Sequence, residues 1–180
     1  HEPLAPFSLP ERLQNEIIYT GYLRRDLPQV SATAAYPSIT CKPYVLVTTG
    51  GGGDGEGLID WTLSAYEADR SLPLGALIVF GPFVPPDQRA AFMERVARLP
   101  DVEAITFDSR IEHLIANSEG IIAMGGYNTF CEILSFDKRS VIVPRRTPRM
   151  EQTIRAERAA ELGLITCLDG AGLEDGAHRN

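Results

Sequence analysis

Apolar and polar positions alternate along this chain in two rhythms. Runs that stay apolar on consecutive positions predict strands covered on both faces. They are YVLVTT over residues 44–49, ALIVF over 76–80, EAITF over 103–107, IIAM over 121–124, SVIV over 140–143 and LITCL over 164–168. A shorter run, IIY at 17–19, predicts an entry strand ahead of these. The segments between them follow a helical period. Over 57–68 the apolar stripe is Leu58, Trp61, Leu63, Ala65 and Tyr66. Over 86–99, opened by Pro85-Pro86-Asp87, it is Ala90, Phe92, Met93, Val96 and Leu99. Short helices are expected over 110–117 and 129–136, and a longer one over 151–162 that stops at Gly163. Strand–helix alternation of this kind predicts an α/β fold, a doubly wound, Rossmann-like parallel sheet with helices on both faces.

The ends fit this pattern less well. Residues 1–15 read as a linker, 16–168 as the domain, and 169–180, DGAGLEDGAHRN, as a flexible or truncated tail. Residues 22–43 form a connection with no periodicity, longer than compact domains usually hold; it is either mobile or rests on something outside this chain.

Composition narrows the function classes. At 180 residues with a net charge of −7, the chain has enough apolar content for a core but no basic face for nucleic acid. The pairs Arg24-Arg25 and Arg145-Arg146 are local features of an acidic protein. No apolar run approaches the roughly 18 residues that span a bilayer. Cys41, Cys131 and Cys167 are far apart and odd in number, with no Cys-x-x-Cys and no clustered His, so neither a disulfide framework nor a metal site is expected. A cytoplasmic setting fits. The chain opens on His without a signal peptide, which reads as a piece of a longer protein.

The chemistry concentrates where strands end. In open parallel sheets, ligands bind beyond the carboxyl ends of the strands. Glycines fall at three such ends: Gly50, Gly51, Gly52 and Gly53 after VLVTT, Gly81 after LIVF, and Gly125-Gly126 after IIAM. Glycine removes the Cβ that keeps a ligand off the backbone, and a helix N-terminus adds free N–H groups and partial positive charge. The stretch AMGGYNTFCE, residues 123–132, therefore reads as a phosphate cradle whose helix starts at Asn128 or Thr129, or simply as a tight turn. Gly50, Gly52 and Gly55 formally satisfy Gly-x-Gly-x-x-Gly. The next strand, however, ends Phe80-Gly81-Pro82 with no carboxylate for a ribose, so NAD binding ranks last. A P-loop motif is absent. Glu132 has two explanations. Thr129 to Glu132 spells a capping box, in which Glu reaches back to the first backbone N–H. Alternatively Glu132, opposite the stripe of Phe130, Ile133 and Leu134, faces away from the core and accepts hydrogen bonds from both hydroxyls of a ribose.

Taken in order, MGGYNTFCEILSFDKRSVIVPR and then EQTIRAERAAELGL resemble the C-terminal, donor-binding domain of GT-B glycosyltransferases, family 28 in particular. The resemblance covers most of the chain and implies one Rossmann-like half of a GT-B fold. It also implies roles. Gly125, Gly126 and the amides of Asn128 and Thr129 would hold the diphosphate of a nucleotide-sugar, and Glu132 would grip the ribose. Glu151 and Gln152 would contact hydroxyls of the donor sugar. Gly50 to Gly53 would face the cleft, and the segment from Phe107 to Ile111 would read the base. The family pattern Glu-Gln-x-x-Asn-Ala reads here Glu151-Gln152-Thr153-Ile154-Arg155-Ala156, with Arg in place of Asn. The loop before it carries Arg145, Arg146 and Arg149.

The resemblance implies a hexosyltransferase that uses a UDP-sugar as co-substrate, with no metal and no separate cofactor. Its general base, its acceptor and any peripheral membrane contact belong to an N-terminal half or partner subunit, so the fragment alone is expected to be inactive. The rival classes are a non-catalytic donor subunit of a split transferase and a GT-B-fold sugar-nucleotide epimerase or hydrolase.

Overall fold

The computed structural model describes residues 9–29, 36–50, 55–106, 111–147 and 150–169. Its six strands are β1 (Tyr44–Thr48), β2 (Gly75–Val79), β3 (Val102–Ile105), β4 (Gly120–Ala123), β5 (Ser140–Ile142) and β6 (Thr166–Cys167). All neighbours pair in parallel, in the order β3-β2-β1-β4-β5-β6. Six helices accompany them: α1 (Glu11–Glu16), α2 (Glu56–Ala68), α3 (Pro86–Val96), α4 (Ile111–Asn117), α5 (Tyr127–Ser135) and α6 (Glu151–Glu161). Right-handed crossovers dictate where the helices lie. From β1 outward through β2 to β3 they fall on one face; from β3 back across to β4, β5 and β6 they fall on the other.

Two cores result. On the first face, Val47, Ala76 and Ile78 of the sheet pack against Leu58, Ile59 and Leu63 of α2 and Val96 of α3. On the second, Leu46, Leu77, Val79, Ile121 and Ile142 pack against Leu114 and Ile115 of α4, Ile133 of α5 and Ala156 of α6. Consecutive strand positions thus serve opposite cores, which is why these runs carry no polar alternation. Trp61, Ala65, Ala90 and Met93, expected inward, are exposed. Instead Ile59 and Thr62 complete the buried face of α2. Over β4 to β6 the first face carries no helix among the described residues, and a groove of about 450 Å³ opens there between Val45, Ile122, Val141 and Leu164.

The N-terminal segment departs from expectation. Residues 17–19 form no strand. The outer edge of β3 stays unpaired by them, and Ile18 and Tyr19 are exposed. Where a linker was expected through residue 15, the exposed helix α1 begins behind Pro10. The connection that follows rests on this chain itself. The Tyr22 ring lies 6.0 Å from Tyr127 and 5.0 Å from Phe130, both on α5. The Arg25 amide donates to Ser135 Oγ at 2.8 Å, and Pro28 O meets His113 Nε2 at 2.8 Å. Further on, a single 3-10 turn, Ser38–Cys41, buries Ile39 beside Gly75, where a Cβ would stand 2.8 Å from Ile39 Cδ1. Aromatic and polar contacts replace periodicity here, so no hydrophobic rhythm announces them. The tail beyond residue 169 lies outside the described residues.

Candidate functional site

The strand order reverses between β1 and β4: β1 leads to β2 on one side, β4 to β5 on the other. The carboxyl ends of strands diverge at such a point, and a crevice forms. Here it is a pocket of about 260 Å³ lined by Thr48 and Gly50, by Val79 at the end of β2 and Phe80 through Pro82 beyond it, by Ile111 opening α4, and by Asn128, Thr129 and Glu132 of α5. Of the residues singled out from sequence, Gly50, Ile111, Asn128, Thr129 and Glu132 come together in this one crevice. Gly51, Gly52, Gly53 and Phe107 lie outside the described residues.

The turn that delivers α5 explains its two glycines, and for different reasons. Gly125 has φ +80°, where an added Cβ would stand 2.7 Å from Ile142 Cγ2. Its role is structural: the chain must turn sharply off β4 against β5. Gly126 caps the helix at φ −54° and ψ 151°, which any residue adopts, and a Cβ there would meet nothing within 4 Å. Folding alone does not require glycine at that place. What glycine leaves is open space directly before the helix.

That space faces positive potential. The α5 ladder begins with Phe130 N donating to Gly126 O at 2.9 Å, so the amides of Tyr127, Asn128 and Thr129 precede it without intrahelical acceptors. No side chain caps them, and α5 carries no acid in its first turn. By contrast Glu56, Asp87, Glu112 and Glu151 sit in the first turns of α2, α3, α4 and α6. The capping box, one of the two readings of Glu132, does not form. The helix starts at Tyr127, just ahead of the Asn128 or Thr129 expected, so Thr129 is its third residue and Gly126 the cap.

Glu132 is buried, 7% exposed, rather than on a solvent face. Its flank of α5 is covered because α4 packs alongside and the ends of β1 and β2 lie beneath. Burial holds its carboxyl above the ordinary value of 4.5, and the Glu112 carboxylate on α4 adds to the effect while Arg25 opposes it. Among the described residues no hydrogen-bond donor meets that carboxylate. Glu132 lines the pocket, where a donor arriving with a ligand can reach it.

Two arginines that sequence reasoning did not assign to the site bond to the turn and first helical residues that lead into it. Arg25, from the strap before β1, donates through Nη2 to Asn128 Oδ1 at 2.8 Å, and its Nε is buried without a partner. Arg155 of α6 donates through Nη1 to Gly125 O at 2.8 Å. Arg25 was legible only as part of a basic pair, and no periodicity ties it to α5. Glu151 and Gln152 stand apart from the pocket. Glu151 is exposed and 3.9 Å from Arg145 Nη2, while Gln152 is buried and accepts from the Arg145 amide at 3.4 Å. Arg155, one turn further on, links their helix to the glycine turn. Among the described residues there is no cluster of His, Cys, Asp and Glu able to hold a metal, and no helix long and apolar enough to cross a membrane.

Sheet order and crevice define a Rossmann-like α/β domain, and its solved neighbours include GT-B glycosyltransferases. MurG of Acinetobacter baumannii superposes with a TM-score of 0.59 at 21% identity, over 72% of this chain and 37% of that one. The calicheamicin glycosyltransferase CalG4 gives 0.56 at 21% identity, over 84% and 37%. VinC, solved in complex with dTDP, gives 0.54 at 21% identity, over 81% and 36%. This chain thus spans little more than a third of each. No curated protein matches the sequence. The model of the glycosyltransferase family 28 C-terminal domain matches residues 58–174, and the chain belongs to that family.

Proposed function

We propose that this chain is the donor-binding half of a glycosyltransferase that moves a hexose from a nucleoside-diphosphate sugar, a UDP-sugar, to an acceptor hydroxyl. The observation that carries the reading is the juxtaposition in one crevice of an uncapped, acid-free helix start and a buried carboxylate that no donor meets among the described residues. An anion suits the first, and a vicinal diol suits the second. Their separation along α5, from Asn128 to Glu132, is about one helical turn, some 5–6 Å, the scale of a nucleoside α-phosphate and its ribose.

The chemistry follows from what this half supplies. The acceptor oxygen bonds to the anomeric carbon as the bond from that carbon to the β-phosphate oxygen breaks, and the acceptor proton passes to a general base. Negative charge grows on the departing diphosphate. Fixed N–H donors at Tyr127 to Thr129, with Arg25 beside them, stabilise it without reorganising. We assign the base to an N-terminal half or partner subunit, together with acceptor choice; His113, the histidine nearest the domain's centre in sequence, is bonded to Pro28 O. On that division this chain alone binds donor and transfers nothing, and its setting is the cytoplasm.

Calorimetric titration of the folded chain with UDP, dTDP and GDP, and with their sugars, tests the reading. Saturable heat with one of them, UDP foremost, is expected. No heat from any removes the donor site.

A further inference from the structure

We propose that Arg155 is a second cationic donor-binding residue, its guanidinium contacting the diphosphate at the Gly125-Gly126 turn. The proposal rests on the donor-site reading above and adds to it a ligand contact from α6.

Arg155 differs from the other basic residues of this region in what it faces. Arg145 lies 3.9 Å from Glu151, Arg146 pairs with Asp169 at 2.8 Å, and Arg158 pairs with Glu161. Arg155, only partly exposed, meets no carboxylate among the described residues. Its contacts are the Gly125 carbonyl at 2.8 Å and two ring faces, with Cζ 5.7 Å from the centre of Tyr127 and 5.9 Å from that of Phe130. Taking a cation part-way out of water without a counter-ion is unfavourable, so an unpaired guanidinium at the rim of an anion-receptive turn points to an anion that arrives with the ligand.

The geometry suits that task. A guanidinium carries five N–H donors, and one is engaged here. The engaged one covers the Gly125 carbonyl, whose partial negative charge would otherwise repel a phosphate beside it. The rings of Tyr127 and Phe130 hold the guanidinium by cation–π attraction, and the Tyr22 ring packs against both. The cation is therefore held in place before ligand arrives, with its remaining donors uncommitted to protein among the described residues.

The test measures the affinity of the whole chain for UDP, dTDP and GDP at low and moderate salt, in wild type, R155M and R155K. R155M keeps an unbranched stem and removes the charge; R155K keeps the charge. For whichever diphosphate the wild type binds, R155M is expected to lose about tenfold or more, R155K to recover most of it, and the gap between wild type and R155M to narrow as salt rises. Wild-type affinity in R155M overturns the proposal. So does an equal loss in R155M and R155K, which marks a role in fixing the turn alone. Should R155M fail to fold, R155Q is read in the same way. Absence of binding by the wild type removes the donor site itself, whereas binding unaffected by R155M removes only the role of Arg155.

Discussion

The Arg25 guanidinium donates to Asn128 Oδ1 at 2.8 Å and so ties the strap before β1 to the first turn of α5. It also lowers the pKa of Glu132, against burial and Glu112, which raise it. One residue thus serves both ends of the crevice. R25M is expected to weaken nucleoside diphosphate binding about tenfold, the scale of a charge-assisted hydrogen bond. Glu132 must be ionised to accept from both ribose hydroxyls with both its oxygens, so affinity falls as pH drops through its pKa. Without Arg25 that pKa rises further, and the acid limb of binding against pH moves upward in R25M. An unmoved limb, by calorimetry across pH, separates Arg25 from Glu132.

Glu132→Gln separates function from stability. The folded pKa lies above the ordinary value of 4.5, so the stabilising contribution of the protonated acid is full below that value and is lost as pH rises through the folded pKa. At neutral pH the variant is therefore expected to melt at the same temperature or higher, while its diphosphate affinity falls about 10- to 100-fold. Glu132→Ala likewise is expected to lose far more affinity than stability. A stability loss of about 1 kcal/mol with affinity intact assigns Glu132 to holding the helix instead.

Gly125→Ala tests the turn. The new methyl meets Ile142 at 2.7 Å in a backbone of φ +80°. Left-handed strain and overpacking together are expected to cost about 2–4 kcal/mol in denaturant unfolding. A variant as stable as wild type shows that β5 yields more readily than a packed sheet should.

How much of this was legible follows from which forces act locally. The six main strands, the start of α3 at Pro86 and the stop at Gly163, now at φ +72°, were readable because apolar runs and Pro or Gly geometry act over a few residues. The crevice was legible in outline, since glycines at strand ends mark it. Its chemistry was not. That Glu132 is buried depends on α4 packing beside α5, and that Arg25 belongs there depends on a contact spanning 103 positions. IIY at 17–19 carries strand-forming residues, but a strand also needs a neighbour, and sequence pattern alone does not supply one.

The most direct measurement is titration calorimetry with UDP, dTDP and GDP on Gly126→Ala beside wild type, with thermal melts of both. Position 126 has ordinary backbone angles and open space around it, so the variant is expected to fold with stability within about 1 kcal/mol of wild type, the difference between Gly and Ala at a helix cap. Its methyl group occupies the space before the free amides, and diphosphate affinity is expected to fall about tenfold or more. A folded Gly126→Ala that binds as tightly as wild type, or a wild type that binds none of the three, contradicts a phosphate cradle at the start of α5.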